Sequence, residues 1–327
     1  MKNKYTTLLS NTVIFAISNI LSKIILSLLL PLYTRELSTA EYGIAELVTT
    51  ISQLVIPICS LSIQDAVFRF GMDTNKDSKQ VLKNAMVVMG IASGLMLIIS
   101  GVFYWYEAIS DWIIPFFFIC IFTMYRSVLS LYVKAINHTI IFSVDSVIYN
   151  FILAICNIIF LTLFEWKLVG YFSAIIVANL FSICFLLWKS KCLSNLKKIS
   201  FNKELLKEMM SYSAPLVLNS ISWGMTHVVD KVMLTEYCEA SSAGIYSAAA
   251  KIPSLLSLVT GVFTQAWTLS MIKDYETEKD MKFYENVFSI THIGCIGTTF
   301  LILLVNNSVF PIILGSNFSQ SVVYVPV

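Results

Sequence analysis

The sequence predicts an all-α, polytopic membrane protein in which two homologous helical lobes follow one another along the chain. Three observations support this fold class. The 327 residues are 57% hydrophobic and only 13% charged, with a mean hydropathy of +0.77, unlike a soluble domain. Apolar stretches of about 20 residues, enough to cross a bilayer, recur along the whole chain. Residues 38–73 also align without a gap on residues 239–274, an offset of 201 positions.

About ten apolar spans are expected, and their lengths suit transmembrane helices. They lack the alternation of polar and apolar residues that marks barrel strands, and a helix satisfies its own backbone hydrogen bonds in lipid. The expected spans cover residues 9–33, 42–68, 82–104, 111–133, 140–163, 167–188, 212–235, 243–270, 284–305 and 309–327. The first is too long for a signal peptide and has no small-residue cleavage site, so we interpret it as a retained helix.

The longest polar connection, between Lys189 and Glu208, separates six spans from the four that follow. We therefore expect an N-terminal six-helix lobe with the start of a cytoplasmic linker over residues 1–195 and a C-terminal lobe over residues 196–327. The second lobe is expected to be truncated, because a copy of the first needs at least six helices. The linker lysines either keep this segment solvated or contact anionic membrane lipids.

The basic residues predict the orientation of the chain in the membrane. If the N-terminus is cytoplasmic, that terminus and the loops on the same side contain 16 of the 22 Lys and Arg residues. Cytoplasmic loops carry such an excess of positive charge. We therefore predict a multi-pass protein with a cytoplasmic N-terminus.

Polar residues recur at helical spacing inside the first span. Asn19, Lys23 and Ser27 lie four residues apart and share one helix face. About ten residues separate Lys23 from either end of the span, which is far for a side chain that only snorkels to the interface. A lysine at this depth is a candidate functional residue.

The second span also has a polar face, and the repeat maps that face onto the eighth span. The aligned pairs are Glu46 with Ser247, Thr50 with Lys251, Gln53 with Ser254, and Gln64 with Gln265. The small and amide side chains suit either tight helix packing or a polar lining. Packing explains neither Glu46 nor Lys251, so both are candidate functional residues.

Further charges inside spans or at their boundaries are Asp65, Arg69, Arg126, Asp145, Asp230 and Lys231. Arg126 either pairs with Asp145 on the next helix or contributes a cation to a cavity. Asp230 ends a row that also contains Ser222 and Thr226, near the predicted outer end of its span, and Asp65 lies near the end of the second span. Both aspartates are candidates for binding a coupling ion.

The sequence contains no enzyme signature. Its three histidines form no HExxH or triad-like arrangement, and no glycine-rich phosphate loop is present. The seven cysteines lack the spacing of a metal site, and a net charge of +2 gives no indication of nucleic-acid binding. We therefore expect a transporter rather than an enzyme, without a metal.

Several motifs carry a resemblance to a known family. They are the run from Pro31 to Gly43 (PLYTRELSTAEYG), Asp65–Phe70 (DAVFRF), Tyr212–Pro215 (YSAP), Asp230–Leu234 (DKVML), Ala243–Ser247 (AGIYS), Lys251–Pro253 (KIP), Gln265–Trp267 (QAW) and Phe310–Gly315 (FPIILG) with Asn317 and Phe318. Their order along nearly the whole chain resembles that of Wzx-type polysaccharide flippases, which belong to the multidrug/oligosaccharidyl-lipid/polysaccharide (MOP) exporter superfamily.

The resemblance implies a MATE-like fold of about twelve to fourteen helices in two lobes around a central cavity. It implies a substrate as well, an undecaprenyl-pyrophosphate-linked oligosaccharide repeat unit that is flipped by alternating access for O-antigen, capsule or exopolysaccharide biosynthesis. The expected location is the bacterial inner (plasma) membrane. The resemblance suggests a polysaccharide polymerase and a chain-length regulator as protein partners. It implies coupling of transport to H+ or Na+ and no cofactor.

The resemblance also implies roles for the candidate residues. Lys23, Lys251 and Arg126 are expected to bind the pyrophosphate as cavity cations. The sugar hydroxyls are expected to meet Asn19, Gln53, Ser254 and Gln265, and ion coupling is expected at Glu46, Asp65 or Asp230. Two other functions stay open: a MATE-type drug or cation exporter, whose cavity should favour carboxylates, and a non-transporting scaffold of a polysaccharide-synthesis complex.

Overall fold

Helices make up every regular element that the structure describes, as the sequence predicts. The structure is a computed structural model, and it describes residues 2–104, 110–190, 200–251, 253, 289, 291–304, 306, 314 and 316–325. The first lobe contains α1 (Lys2–Glu36), α2 (Thr39–Ser60), α3 (Ile63–Gly71), α4 (Ser78–Tyr104), α5 (Ser110–Ala135), α6 (Thr139–Ile158) and α7 (Lys167–Ser190). The linker is followed by α8 (Lys203–Lys251), α9 (Thr291–Leu304) and α10 (Ser321–Tyr324).

The first lobe has the length and polarity of a membrane bundle. Among the described residues, six helices are long and apolar enough to cross a bilayer, and all six belong to this lobe. Large apolar side chains cover its outer surface, including Leu28, Leu97 and Ile98, which are more than half exposed. Such a surface requires lipid. The chain is a multi-pass membrane protein. Of its expected spans beyond residue 251, the structure describes mainly residues 291–304 and 316–325.

The second expected span, residues 42–68, is wrong as a single helix. The chain leaves the helical conformation at Leu61 and Ser62, whose φ angles are 51° and 48°, and resumes as α3. The Ser62 N–H donates to the Pro57 carbonyl at 3.0 Å, which satisfies part of the end of α2. Neither residue is a glycine or asparagine, the usual left-handed cap, so the hydropathy pattern contained no sign of the break.

The seventh and eighth expected spans, 212–235 and 243–270, are two helices, as predicted, but the first begins earlier and only one residue separates them. We number them together as α8, which begins at Lys203 and continues to Lys251 with a break at Glu239, where φ is 76° and ψ is 159°. We call residues 203–238 the first arm of α8 and residues 240–251 its second arm.

The interruption of α8 lies at the repeat counterpart of the start of α2. Ser38, which aligns with Glu239, caps α2: its Oγ accepts from the Glu41 N–H at 3.2 Å, and Glu41 Oε2 accepts from the Ser38 N–H at 2.8 Å. The first arm therefore corresponds to α1, and the second arm to the first turns of α2. Over residues 38–50 and 239–251, where both copies are described, the repeat found in the sequence is thus also a repeat of structure, in agreement with the prediction of two homologous lobes.

The hydrophobic core continues from the first lobe into α8. Leu205 and Met209, on the first arm, are buried in one cluster with Met89 and Val128. On the second arm, Ala248 is buried in another cluster, with Tyr42 and other residues of the first lobe. Both arms are therefore fixed against the first lobe by apolar packing.

Polar contacts fix the beginning of the first arm. Asn84 is fully buried; its Nδ2 donates to the Asn202 carbonyl at 2.8 Å, and its Oδ1 accepts from the Asn202 N–H at 3.3 Å. Lys76 forms an ion pair with Glu208, six residues beyond Asn202 along the chain. These polar contacts hold the start of the first arm on the first lobe.

Candidate functional site

The two copies of the repeat meet at a pair of aligned glycines. A Cβ placed on Gly43 of α2 would lie 2.0 Å from the Ala240 carbonyl oxygen, and one on Gly244 would lie 1.9 Å from the Thr39 carbonyl oxygen. Gly43 aligns with Gly244, and Thr39 aligns with Ala240, so each contact is the repeat image of the other. A local two-fold axis therefore passes between α2 and the second arm. Only glycine permits this approach of two backbones.

A cluster of three charged residues lies one turn from the glycine crossing. Lys231 Nζ donates to Glu46 Oε2 at 2.9 Å, and Lys251 Nζ lies 3.1 Å from Glu46 Oε1. The carboxylate belongs to α2, and the lysines belong to the first and second arms of α8. We call Glu46, Lys231 and Lys251 the interlobe charge cluster.

Neighbouring hydroxyl groups complete the coordination of the cluster. Thr50 Oγ1 accepts a hydrogen bond from Lys231 Nζ at 2.7 Å and donates one to the Glu46 backbone carbonyl oxygen at 2.6 Å. The Tyr42 hydroxyl donates to Glu46 Oε1 at 3.3 Å. Thr50 and Lys251 occupy aligned positions of the repeat; Thr50 contacts Lys231, and Lys251 contacts Glu46. Equivalent positions of the two copies thus converge on one site.

The cluster has a surplus positive charge and is open on one side. One carboxylate faces two ammonium groups, which leaves a net charge of +1 where burial makes charge costly. The exposed fraction of the side chain rises from 8% for Glu46 to 15% for Lys231 and 47% for Lys251. The carboxylate is therefore enclosed, whereas the outer lysine is accessible.

The other residues of α1 and α2 that the sequence analysis assigned to substrate binding do not join the cluster. Lys23, Asn19 and Gln53 are exposed, and Lys23 forms no ion pair with any side chain that the structure describes. The repeat aligns Lys23 with Gly224, whose Cβ position lies 3.2 Å from Leu54 Cδ1 across the lobe boundary. The corresponding neighbour of Lys23 would be Leu255, which lies outside the described residues.

Arg126 lies inside the first lobe rather than with the interlobe lysines. Its NH2 group lies 3.3 Å from Asp145 Oδ2, its Nε donates to Ser182 Oγ at 2.8 Å, and its guanidinium lies 3.7 Å from the ring centre of Tyr149. Asp145 is fully buried and also accepts from the Ser182 hydroxyl at 2.5 Å. The ion pair predicted as one alternative for Arg126 is confirmed, and it connects α5, α6 and α7.

The aspartates and the polar residues of the eighth span take other positions. Asp230 is exposed and accepts from the Tyr246 hydroxyl at 3.4 Å, which joins the two arms of α8. Asp65 is half-buried on α3. Ser254 and Gln265 lie outside the described residues. Coupling at Glu46, Asp65 or Asp230 therefore stays a prediction.

Lys231 is the member of the cluster that the sequence did not identify as a site residue. The apolar pattern ended its helix at residue 235, which placed Lys231 at the membrane surface. The helix in fact continues to Glu239, so Lys231 lies two turns inside it. The useful signal was the repeat: the aligned break at Ser38 shows that α8 must extend as far as α1 does.

Comparison with known proteins places these features in a family. A family model described as polysaccharide biosynthesis protein matches residues 8–273. No curated protein matches the chain.

Solved structures with the same fold are MATE transporters. An inward-facing multidrug resistance MATE family transporter of the MOP superfamily has a TM-score of 0.67 and 12% identity over 94% of this chain and 75% of its own. An outward-facing one has a TM-score of 0.59 and 12% identity over 97% of this chain and 79% of its own. A MATE in complex with MaD5 has a TM-score of 0.62 and 13% identity over 97% of this chain and 79% of its own. The chain therefore belongs to the polysaccharide biosynthesis protein family and has the fold of the MATE transporters of the MOP superfamily.

Proposed function

We propose that the protein flips an undecaprenyl-pyrophosphate-linked oligosaccharide repeat unit across the bacterial inner membrane, for the synthesis of a surface polysaccharide. One observation carries the proposal: two lysines of the second lobe share a single carboxylate of the first, at the boundary between the lobes. Family membership and an exporter fold agree with it.

The surplus charge suits a diphosphate. Moving an anion through a low-dielectric region loses its hydration, and ammonium groups offset that loss by charge-assisted hydrogen bonds. Lys251 and Lys231 supply such groups at the lobe boundary, and Lys23 faces the same boundary in our proposal. A cation would meet repulsion there, since the one carboxylate of the cluster is already occupied. This charge balance favours the flippase over a drug or cation exporter.

The other parts of the substrate need different surroundings. Exposed polar side chains such as Asn19 and Gln53 offer hydrogen bonds to sugar hydroxyls, and Ser254 and Gln265 are assigned the same role from the sequence. The polyprenyl tail stays in lipid beside the cleft. Rocking of one lobe against the other then exposes the headgroup on alternate faces. Driving ions would bind at Glu46, Asp65 or Asp230, and the N-terminus is proposed to be cytoplasmic.

Complementation of a flippase-deficient bacterium tests the proposal. The chain should restore surface polysaccharide and remove lipid-linked repeat units that accumulate on the cytoplasmic leaflet. Lys231→Ala and Lys251→Ala should abolish rescue at unchanged protein level, whereas Lys189→Ala, at the exposed end of α7, should leave it intact. Rescue by both cluster variants would contradict a diphosphate substrate and favour a scaffold. Export of a cationic dye in place of rescue would favour the drug exporter.

A further inference from the structure

We propose that Glu46 is an internal competitor for the anionic headgroup of the substrate. In the empty transporter it holds Lys231 and Lys251, and a diphosphate that takes over the two lysines releases the first lobe from the second at this end. The inference rests on the proposed function and assigns Glu46 a task within it: control of when the lobes separate.

The geometry of the cluster is that of one bidentate anion between two cations. Each carboxylate oxygen of Glu46 receives a different lysine, at 2.9 Å for Lys231 and 3.1 Å for Lys251. A diphosphate also presents several oxygens within a few ångströms of one another and accepts the same charge-assisted hydrogen bonds. Glu46 and the headgroup are thus alternative ligands for the same pair of ammonium groups.

The exchange acts on the contact between the lobes because the charges are divided between them. Glu46 lies on α2, whereas the break at Glu239 turns the two arms of α8 so that both lysines reach one carboxylate. At the neighbouring crossing, Gly43 and Gly244 bring two backbones together and contribute no charge. The ion pairs are therefore the part of this contact that an anion can exchange.

Exposure gives the exchange a direction. Lys251 is half-exposed, so an incoming anion reaches it while Lys231 is still enclosed with Glu46 and Thr50. Transfer of Lys251 leaves Glu46 with a single lysine, and transfer of Lys231 then frees the carboxylate and α2. The first lobe keeps its own internal ion pair, Arg126 with Asp145, throughout.

Competition predicts opposite effects on binding and on transport. A ligand shifts a conformational equilibrium only as far as it binds the two states differently. Without the Glu46 charge, the lysines bind a diphosphate in both states, so affinity rises while binding no longer drives separation of the lobes. Glu46→Gln should therefore bind a diphosphate about tenfold more tightly, the size expected for loss of one competing charged hydrogen bond. The same variant should transport more slowly.

The binding experiment uses the full chain in lipid nanodiscs and a short-chain polyprenyl diphosphate as the probe. Free pyrophosphate and the matching monophosphate show whether the lipid or the diphosphate is recognised. Glu46→Gln should tighten binding, Lys231→Ala and Lys251→Ala should weaken it, and Glu46→Asp should restore a value near that of the parent. Asp145→Asn removes a buried carboxylate from the pair within the first lobe, so it is the matched control and should not tighten binding.

Cross-linking reports the contact between the lobes. Cysteines introduced at Thr39 and Ala240, on opposite sides of the glycine crossing, are joined by a short bifunctional thiol reagent in a chain without its native cysteines. The probe should slow cross-linking of the parent chain. The variant with Lys231→Ala and Lys251→Ala should cross-link slowly even without the probe, and this test stands if Glu46→Gln fails to fold.

The outcomes separate this inference from the proposed function. Suppose that the parent chain binds the probe through its lysines but Glu46→Gln binds it no more tightly. That result would overturn the competitor role of Glu46 and leave the proposed flippase function standing. Unchanged cross-linking in the variant lacking both lysines would do the same. Equal, negligible binding by the parent and the lysine variants would overturn both.

Discussion

Gly43 and Gly244 occupy equivalent positions in the two copies of the repeat and lie against each other, the Cβ position of Gly43 being 2.9 Å from the Gly244 backbone nitrogen. The crossing places α2 and the second arm of α8 around a local two-fold axis. The charged side chains beside the crossing do not follow this two-fold symmetry. Glu46 aligns with the buried, neutral Ser247, and Lys231 aligns with Leu30.

Alanine at either glycine should disrupt the contact between the lobes. The added methyl group would meet a backbone carbonyl at 2.0 Å or 1.9 Å, and a carbonyl within a helix cannot rotate away. We expect Gly43→Ala and Gly244→Ala each to lower stability by about 1–3 kcal/mol, the usual cost of overpacking, and to impair transport. Thermal unfolding in detergent measures the first effect.

Gly94→Ala is the matched control for these substitutions. Gly94 lies within α4 and has open space around its Cβ position. Alanine is the better helix former by about 1 kcal/mol, so this variant should be as stable as the parent or more stable. Equal behaviour of all three variants would contradict a role for the crossing.

The Arg126–Asp145 pair should contribute to stability rather than directly to substrate binding. Arg126→Ala leaves Asp145, which is fully buried, without its cation, and removal of one partner of a buried pair costs about 3–5 kcal/mol. A double variant, Arg126→Leu with Asp145→Leu, should recover most of that loss. Unfolding measurements on Arg126→Leu, Asp145→Leu and the double variant give the coupling energy. A stable Arg126→Ala chain that fails only to bind diphosphate would instead support the cavity role.

Lys23 should show the opposite behaviour. It is exposed and forms no ion pair within the described chain, so Lys23→Ala should leave the unfolding temperature unchanged. If the lysine faces the cleft, as we propose, the same variant should reduce flipping, and Lys23→Arg should retain it. Full activity of Lys23→Ala would show that the side chain merely lies at the lipid surface.

The polar contacts at the start of α8 should hold the linker end of that helix on the first lobe. Asn84→Ala leaves the backbone groups of Asn202 without their partner, and a lost partner of a buried polar group costs about 1–3 kcal/mol. We expect faster proteolytic cleavage near residue 200 in this variant. Asn75→Ala, in the exposed turn after α3, is the control and should be cleaved like the parent chain.

The sequence predicted the six membrane-spanning segments of the first lobe because long apolar runs determine which segments enter the membrane. It could not predict the breaks. Leu61 and Ser62 adopt left-handed conformations without glycine, and Glu239 interrupts α8 without a loop, so tertiary contacts rather than local preference determine both.

The candidate site was predictable only in part. Glu46 and Lys251 stood out as charges within apolar spans, and the Arg126–Asp145 pair was one of the two alternatives predicted for Arg126. Their grouping was not visible, because the distance from Glu46 to Lys231 and Lys251 depends on how the lobes cross at the two glycines. Lys231 was overlooked because hydropathy alone ended its helix too early.

Transport of a lipid-linked diphosphate sugar by the purified chain in proteoliposomes tests most directly whether the interlobe lysines carry an anionic headgroup. The parent chain should move the lipid between leaflets, and the variant with both Lys231→Ala and Lys251→Ala should not, although it remains folded and inserted. Lys189→Ala should transport like the parent. Equal flipping rates for the parent and the doubly substituted chain would contradict the role assigned to the cluster.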